Sequence, residues 1–121
     1  MACSILNVTV DCADGERVAR FWSDVTGLAW SRQDMPGNPF WIVGDPDSTT
    51  TRLVLVEVPE PKAVKNRVHV DLLPNEDSGE GEVERILGLG ATIVDDRRDT
   101  TPGGWVVMAD PEGNEFCVEQ G

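Results

Sequence analysis

The sequence predicts an α+β fold made of two consecutive βαβββ modules. Each half has the same order of patterns: an alternating strand, an amphipathic helix closed by glycine, and three short strands. Corresponding motifs in the two halves are separated by an offset that stays between 62 and 65 residues. A half of about 60 residues buries little surface alone, so the halves should pack together or pair across a dimer. We therefore expect curved mixed sheets, each with an outer helix, around a cleft that is the default ligand site.

The first module, about residues 1–59, is predicted to contain one helix and four strands. Asp14 is a suitable N-cap, and Gly27 supplies the glycine that commonly follows a helix. Between them an apolar stripe follows helical spacing, at Val18, Phe21, Trp22 and Val25. Alternating or short apolar runs predict strands at residues 4–12, 28–33, 40–43 and 52–58.

The second module, about residues 67–121, repeats this order after a stiff connector, Pro59-Glu60-Pro61-Lys62. Strands are predicted at residues 67–73, 91–95, 105–109 and 115–119, with a polar loop at 75–81. The helix is predicted at residues 82–89 and should end at Gly90. Turn residues cluster at 99–104 and at 110–114.

Composition and charge restrict the class of protein. A chain of 121 residues, 40% hydrophobic and 26% charged, is typical of one globular domain, here residues 1–121. The net charge of −12 repels phosphate backbones and anionic lipids, so we expect neither a nucleic-acid nor a membrane partner. Three cysteines without metal-type spacing indicate reduced thiols and a cytoplasmic location. No signal peptide or transmembrane pattern is found.

The predicted strand at residues 67–73 contains the only histidine of the chain, His69. Strand alternation would turn Val68, Val70 and Leu72 to one face. It would turn Arg67, His69 and Asp71 to the other, so three ionisable groups should meet either water or a polar pocket.

Several motifs together resemble the vicinal oxygen chelate superfamily, the group of glyoxalase I, bleomycin-resistance proteins and extradiol dioxygenases. The resemblance covers nearly the whole chain, and the motifs look especially like those of the glyoxalase-like branch of the superfamily. The motifs are Asn7-Val-Thr-Val-Asp with Asp14, Ala19-Arg-Phe-Trp, Gly27-Leu28, Lys65-Asn-Arg-Val-His-Val-Asp-Leu, Leu89-Gly-Ala and Asp110-Pro-Glu-Gly-Asn-Glu-Phe. The resemblance implies the two-module fold, a small-molecule ligand and a homodimer.

Enzymes of this superfamily hold a divalent metal through four inward-facing strand positions, two from each module. Carried over by resemblance, these positions fall on Asn7, on Leu55 or Val56, on His69 and on Cys117. Asn is a poor ligand and an aliphatic side chain is none, so we expect no resident metal or other cofactor. His69 and Cys117 remain weak candidates for a divalent metal. Glu57 and Glu119 are expected on the opposite strand faces from Leu55 and Cys117.

The candidate residues each have a structural alternative. His69 is a candidate general base or hydrogen-bond donor, or a structural histidine bonded to a neighbouring strand or to Asp71. Arg67 could hold a carboxylate, or could form a surface ion pair. Trp41 and Trp105 could line a ligand pocket or fill the core. The expected ligand-binding set is Asn7, Trp41, Arg67, His69, Trp105 and Cys117.

Three functions remain open at this point. The first is a glyoxalase-like protein that binds a small organic molecule without the full metal site. The second is a divalent-metal-dependent lyase, isomerase or dioxygenase of the superfamily type. The third is a structural dimer with a vestigial cleft. The missing donors at Asn7 and at Leu55 or Val56 favour the first or the third.

Overall fold

A computed structural model describes residues 2–48, 50–75, 79–99 and 103–120. The chain divides into two compact units, Met1–Pro61 and Lys62–Gly121. Each unit contains one helix and one four-stranded mixed sheet with the same strand order, in which the first strand lies at one edge beside the fourth. The predicted α+β class with two βαβββ modules is confirmed.

The first unit has the elements β1 (Asn7–Cys12), α1 (Gly15–Thr26), β2 (Trp30–Gln33), β3 (Phe40–Val43) and β4 (Arg52–Glu57). Its sheet has the order β1-β4-β3-β2, with β1 parallel to β4 and the other pairs antiparallel. The ends of α1 follow the prediction: the Asp14 side chain accepts the Arg17 N–H, and Gly27 adopts a left-handed conformation at φ 76°. These caps satisfy backbone groups that a helix end leaves unpaired.

Helix α1 packs on the side of this sheet that carries Trp41, Leu55 and Glu57. The Glu57 carboxylate accepts the Gly15 N–H at 3.0 Å, which places a negative charge at the positive end of α1. Trp41 lies so close to Gly15 that any side chain there would meet the indole ring. Trp41, Leu55 and Glu57 therefore mark the face of the sheet that α1 covers. Residues at the alternate strand positions lie on the opposite face.

The second unit has the elements β5 (Asp71–Leu72), α2 (Gly79–Gly88), β6 (Thr92–Asp96), β7 (Trp105–Ala109) and β8 (Glu115–Glu119). Its sheet has the order β5-β8-β7-β6. Helix α2 packs on β8, and Gln120 lies directly against Gly79 at the start of the helix. Phe116 and Val118, at alternate positions from Gln120, are almost fully buried on that side. Cys117 and Glu119 therefore lie on the face opposite α2.

The connector into the second unit is anchored on Glu115, whose side chain is only 8% exposed. Its carboxylate accepts the Asn66 backbone N–H at 3.0 Å and contacts Lys65 Nζ at 3.1 Å and Lys62 Nζ at 3.5 Å. Asn66 Oδ1 in turn accepts the Glu115 N–H at 3.2 Å. These contacts hold the chain before β5 against the start of β8.

The main difference from the predicted elements lies in residues 67–73, where only Asp71 and Leu72 form a strand. The chain bends at residues 67 and 68, and Val68 is 79% exposed rather than on a buried face. Asn66 and Glu115 bind each other just before this bend, and pairing with β8 resumes only at Val70, whose carbonyl accepts the Cys117 N–H at 2.9 Å. Alternation in sequence was therefore insufficient to predict a strand here.

Smaller differences concern element ends. Helix α2 begins at Gly79, three residues before its predicted start, and β1 begins three residues after its predicted start. A register irregularity between Ile93 and Asp95 interrupts the pairing of β6. None of the three cysteines forms a disulfide bond. Among the described residues, no helix is long and apolar enough to cross a bilayer.

Candidate functional site

The face of the second sheet opposite α2 gathers three of the six predicted ligand-binding residues, His69, Trp105 and Cys117. We call it the polar face and define it by His69, Asp71, Trp105, Cys117 and Glu119. Asp71 pairs with Cys117 across β5 and β8, and Trp105 pairs with Glu119 across β7 and β8. Paired residues in neighbouring strands share a face, so these side chains lie side by side.

Within the polar face, Asp71 and His69 form the closest contact, with His69 Nδ1 at 3.3 Å from Asp71 Oδ1. Cys117 Sγ lies 3.7 Å from the same nitrogen. A carboxylate can only accept, so the neutral imidazole must carry its proton on Nδ1 when it bonds to Asp71. Nε2 then holds the free lone pair, and His69 is 41% exposed. The pair is arranged so that a bound molecule could donate a hydrogen bond, or a proton, to Nε2.

Cys117 is held as a neutral thiol. Burial, together with the negative charge of Asp71 and a hydrogen bond to it, raises the pKa of the Cys117 thiol to about 11. A thiolate, not a thiol, is the nucleophile, so Cys117 is unreactive near neutral pH. With its side chain buried beneath His69, it acts as part of the floor of the polar face.

Trp105 gives the polar face its aromatic element and is 37% exposed. Glu119 lies beside it and is half-buried. The expectation that Glu119 faces away from Cys117 was wrong, because residues two apart on a strand share a face. Glu57 likewise shares the face of Leu55, on the helix side of the first sheet.

In the first unit, Asn7 is engaged by an arginine. Its Oδ1 accepts Arg52 Nε–H at 3.1 Å and Arg52 Nη2–H at 2.9 Å. Both lone pairs of this oxygen are therefore used, and guanidinium, which can only donate, fixes the orientation of the amide. Asn7 thus has no oxygen left for a metal ion.

The remaining position of the first unit also lacks a donor. Leu55 is fully buried on the α1 side, whereas Val56 lies on the face of Asn7. Neither carries a donor atom. The four-donor metal site of the superfamily therefore does not fit this chain, since the first unit supplies none of its ligands.

The second unit alone offers a smaller donor set. One ligand atom each from His69, Asp71 and Cys117 lies within 4.8 Å of the others. Imidazole, carboxylate and thiolate are all zinc ligands, but the protonated state of Cys117 disfavours its binding of a metal.

The other predicted residues lie elsewhere. Arg67 is exposed at the bend before β5. Trp41 is buried, 4% exposed, on the helix side of the first sheet beneath Gly15. Asp71, by contrast, was absent from the predicted ligand set although it contacts His69. The available signal was its position two residues after His69, which places both on one face of an extended chain.

Comparisons with known proteins identify the family of the chain. A family model described as a glyoxalase-like domain matches residues 7–119. A comparison with curated protein sequences gives no match.

Among solved structures, the fosfomycin resistance protein FosX from Mesorhizobium loti is similar at 17% identity and a TM-score of 0.75, covering 100% of this chain and 94% of that chain. The antibiotic binding protein TnmS3 from Streptomyces sp. CB03234 is similar at 24% identity and a TM-score of 0.71, covering 99% of this chain and 98% of that chain. A FosX variant from Listeria monocytogenes, complexed with Mn(II) and 1S,2S-dihydroxypropylphosphonic acid, is similar at 13% identity and a TM-score of 0.77, covering 100% and 94%.

These likenesses in structure concern the fold. The family model spans nearly the whole chain, and its match includes the three strands that build the polar face. The chain belongs to the glyoxalase-like domain family, within the vicinal oxygen chelate superfamily.

Proposed function

We propose that this protein binds a small organic molecule on its polar face and does so without the four-ligand metal site of its superfamily. The observation that carries the proposal is the His69–Asp71 pair next to Cys117, on a sheet face that also carries Trp105, in a chain whose first unit offers no metal donor. TnmS3, whose structure is similar, is an antibiotic binding protein, and this similarity supports small-molecule binding as a function of the present chain. The proposed working form is a homodimer in the cytoplasm.

The chemistry of the polar face suits an amphipathic ligand. Trp105 offers an aromatic surface, on which a planar ring could stack. His69 Nε2 offers an acceptor, oriented by the Asp71 carboxylate at Nδ1. A ligand with an aromatic ring and a hydroxyl or amide donor would use both. If a reaction occurs, it begins with proton transfer to His69, as in a glyoxalase-type lyase or isomerase.

The first test is a thermal-shift screen of aromatic metabolites and antibiotics, followed by titration of any ligand found. A ligand at a concentration of 100 Kd should stabilise the protein by about 2.7 kcal/mol. We expect His69→Ala and Trp105→Leu each to weaken binding by about tenfold or more, since each removes one recognised contact. Trp30→Leu is the matched control, because Trp30 lies under Arg20 in the first unit.

Two results would contradict the proposal. A flat response across the library would favour a structural dimer with a vestigial cleft. A ligand that binds His69→Ala and Trp105→Leu as tightly as the unchanged protein would place the binding site elsewhere.

The second candidate function is a metal-dependent enzyme, favoured by the closeness of the His69, Asp71 and Cys117 donor atoms. Metal analysis of protein purified without chelators, followed by dialysis against zinc, nickel and manganese, distinguishes the two. We expect less than one equivalent of metal, because Cys117 is a neutral thiol and the first unit adds no donor. Stoichiometric metal that is lost in Cys117→Ser but kept in Cys3→Ser would instead favour the metal-dependent enzyme, since Cys3 is exposed.

A further inference from the structure

Arg52 differs from the other basic residues in its partners. The chain has ten lysine and arginine residues, and within its described part seven of them contact a carboxylate. Arg17, Arg52 and Arg67 do not, and of these three only Arg52 is half-buried. In a protein with a net charge of −12, a partly desolvated cation with neutral partners only is unexpected.

The guanidinium of Arg52 is fixed by neutral oxygens. Asn7 Oδ1 accepts from Nε at 3.1 Å and from Nη2 at 2.9 Å, and the Pro46 carbonyl accepts from Nη1 at 2.6 Å. A guanidinium has five N–H donors, so these three bonds leave one N–H on each terminal nitrogen. The two terminal nitrogens lie on one rigid plane, and their spacing matches the two oxygens of a carboxylate or phosphoryl group.

The backbone around Arg52 keeps its side chain in this position. Gly44 has φ +123°, and a Cβ there would lie 3.3 Å from Arg52 Cγ. Glycine thus leaves space for the aliphatic part of Arg52, while the pairing of Asn7 with Arg52 brings the two side chains together. A guanidinium held in advance loses little freedom when a ligand binds, which favours affinity.

The sheet face next to Arg52 is apolar. Val54 is two residues further along β4 and pairs with Ile42 in β3, so both share a face with Arg52. They are 5% and 4% exposed. Because both side chains are buried, a bound molecule would not lie on them, and its anionic group would reach the half-buried guanidinium from the exposed side of Arg52.

We propose that Arg52, held by Asn7, is a receptor for the carboxylate or phosphoryl group of a small organic anion. This site lies in the first unit and goes beyond the proposed function of the polar face. The guanidinium provides the charge and two N–H donors, and Asn7 is a positioning residue that fixes the guanidinium without neutralising it.

The decisive variant is Asn7→Asp. It has nearly the same shape and retains both hydrogen bonds to Arg52, but it supplies the missing counter-charge. If Arg52 only cross-links β1, β4 and the turn at Pro46, Asn7→Asp should leave anion binding unchanged. If Arg52 binds anions, the ion pair between the introduced carboxylate and Arg52 should lower the affinity for anions by about tenfold or more. The thermal stability should stay the same or rise.

Binding is measured by NMR on the side-chain Nε–H resonance of Arg52, with benzoate, phenylphosphonate and neutral benzamide as probes. We expect a saturable shift with one or both anions at concentrations up to about 10 mM, and none with benzamide. Comparing benzoate with phenylphosphonate identifies the preferred oxyanion. Arg52→Met should abolish the anion-dependent shifts of nearby backbone amides.

Asn38→Asp controls for the added charge. Asn38 precedes Phe40, which pairs with Val56 at the opposite end of β4 from Arg52. The Asn38→Asp variant should bind the anions with the same affinity as the unchanged protein. Equal shifts with benzamide, undiminished anion binding in Asn7→Asp, or no response to either anion would overturn the inference. None of these outcomes bears on the polar face, whose ligand is tested through His69 and Trp105.

Discussion

Replacement of Glu115 with alanine is expected to lower the free energy of unfolding by about 2 kcal/mol, because it removes a largely buried acceptor that binds a backbone N–H and two partly exposed lysines. Glu115 is 8% exposed and binds the Asn66 N–H, Lys65 and Lys62. Its loss would leave the Asn66 N–H without an acceptor and release the connector from β8. Urea denaturation at neutral pH measures the change.

Lowering the pH should reduce the free energy of unfolding gradually, because Glu115 becomes protonated. The Asn66 N–H bond, followed by the bond and charge of Lys65, holds the pKa of Glu115 below its ordinary value of 4.5. A carboxyl whose folded pKa is lowered contributes stability above its unfolded pKa, and this contribution disappears as the pH falls through the folded value. Glu115→Gln should therefore be less stable than the unchanged protein at pH 7 and should approach it below about pH 4.

Glu60→Gln is the matched control for Glu115, since Glu60 is exposed in the same connector. It should have nearly the stability of the unchanged protein at every pH. A stability difference between Glu115→Gln and the unchanged protein that persists undiminished in acid would show that the Glu115 charge is not the source of stability.

Replacement of Gly15 with alanine is expected to destabilise the first unit by about 3 kcal/mol, through overpacking against Trp41. A Cβ at Gly15 would overlap the Trp41 ring atoms Cε3 and Cζ3. Trp41 is 4% exposed and cannot move outward without disturbing the contact between α1 and β3. Thermal unfolding followed by circular dichroism would detect the change.

A double-mutant cycle identifies the cause. Trp41→Leu removes the ring, so Gly15→Ala should cost much less in that background, with a coupling above about 1 kcal/mol. Gly88→Ala is the control: Gly88 is helical, and a Cβ there meets nothing within 4 Å. It should be neutral or stabilising by up to about 1 kcal/mol. Additive costs for Gly15→Ala and Trp41→Leu would exclude a clash between the two residues as the mechanism.

The sequence determined the order of the elements and the location of the histidine. Helix α1 could be predicted to the residue at its caps, because Asp14 and Gly27 act on their own neighbours. The strands at residues 40–43, 105–109 and 115–119 were predicted for a similar reason, since short apolar runs between turn residues are local patterns. His69 and Cys117 were identified through motifs of the family, and both lie on the polar face.

Only the tertiary structure decided which side chains meet. Residues 67–69 alternate like a strand but do not pair with β8, and the chain before them is held by the contact between Asn66 and Glu115, 49 residues apart. The partnership of Asn7 with Arg52 depends on the parallel register of β1 and β4, which joins residues 45 apart. The alternation of a strand limits its register to positions that bury one face, but which residue of a distant strand lies opposite is decided only when the sheet packs. For this reason the sequence provided the polar residues, and the fold alone showed which of them form a site.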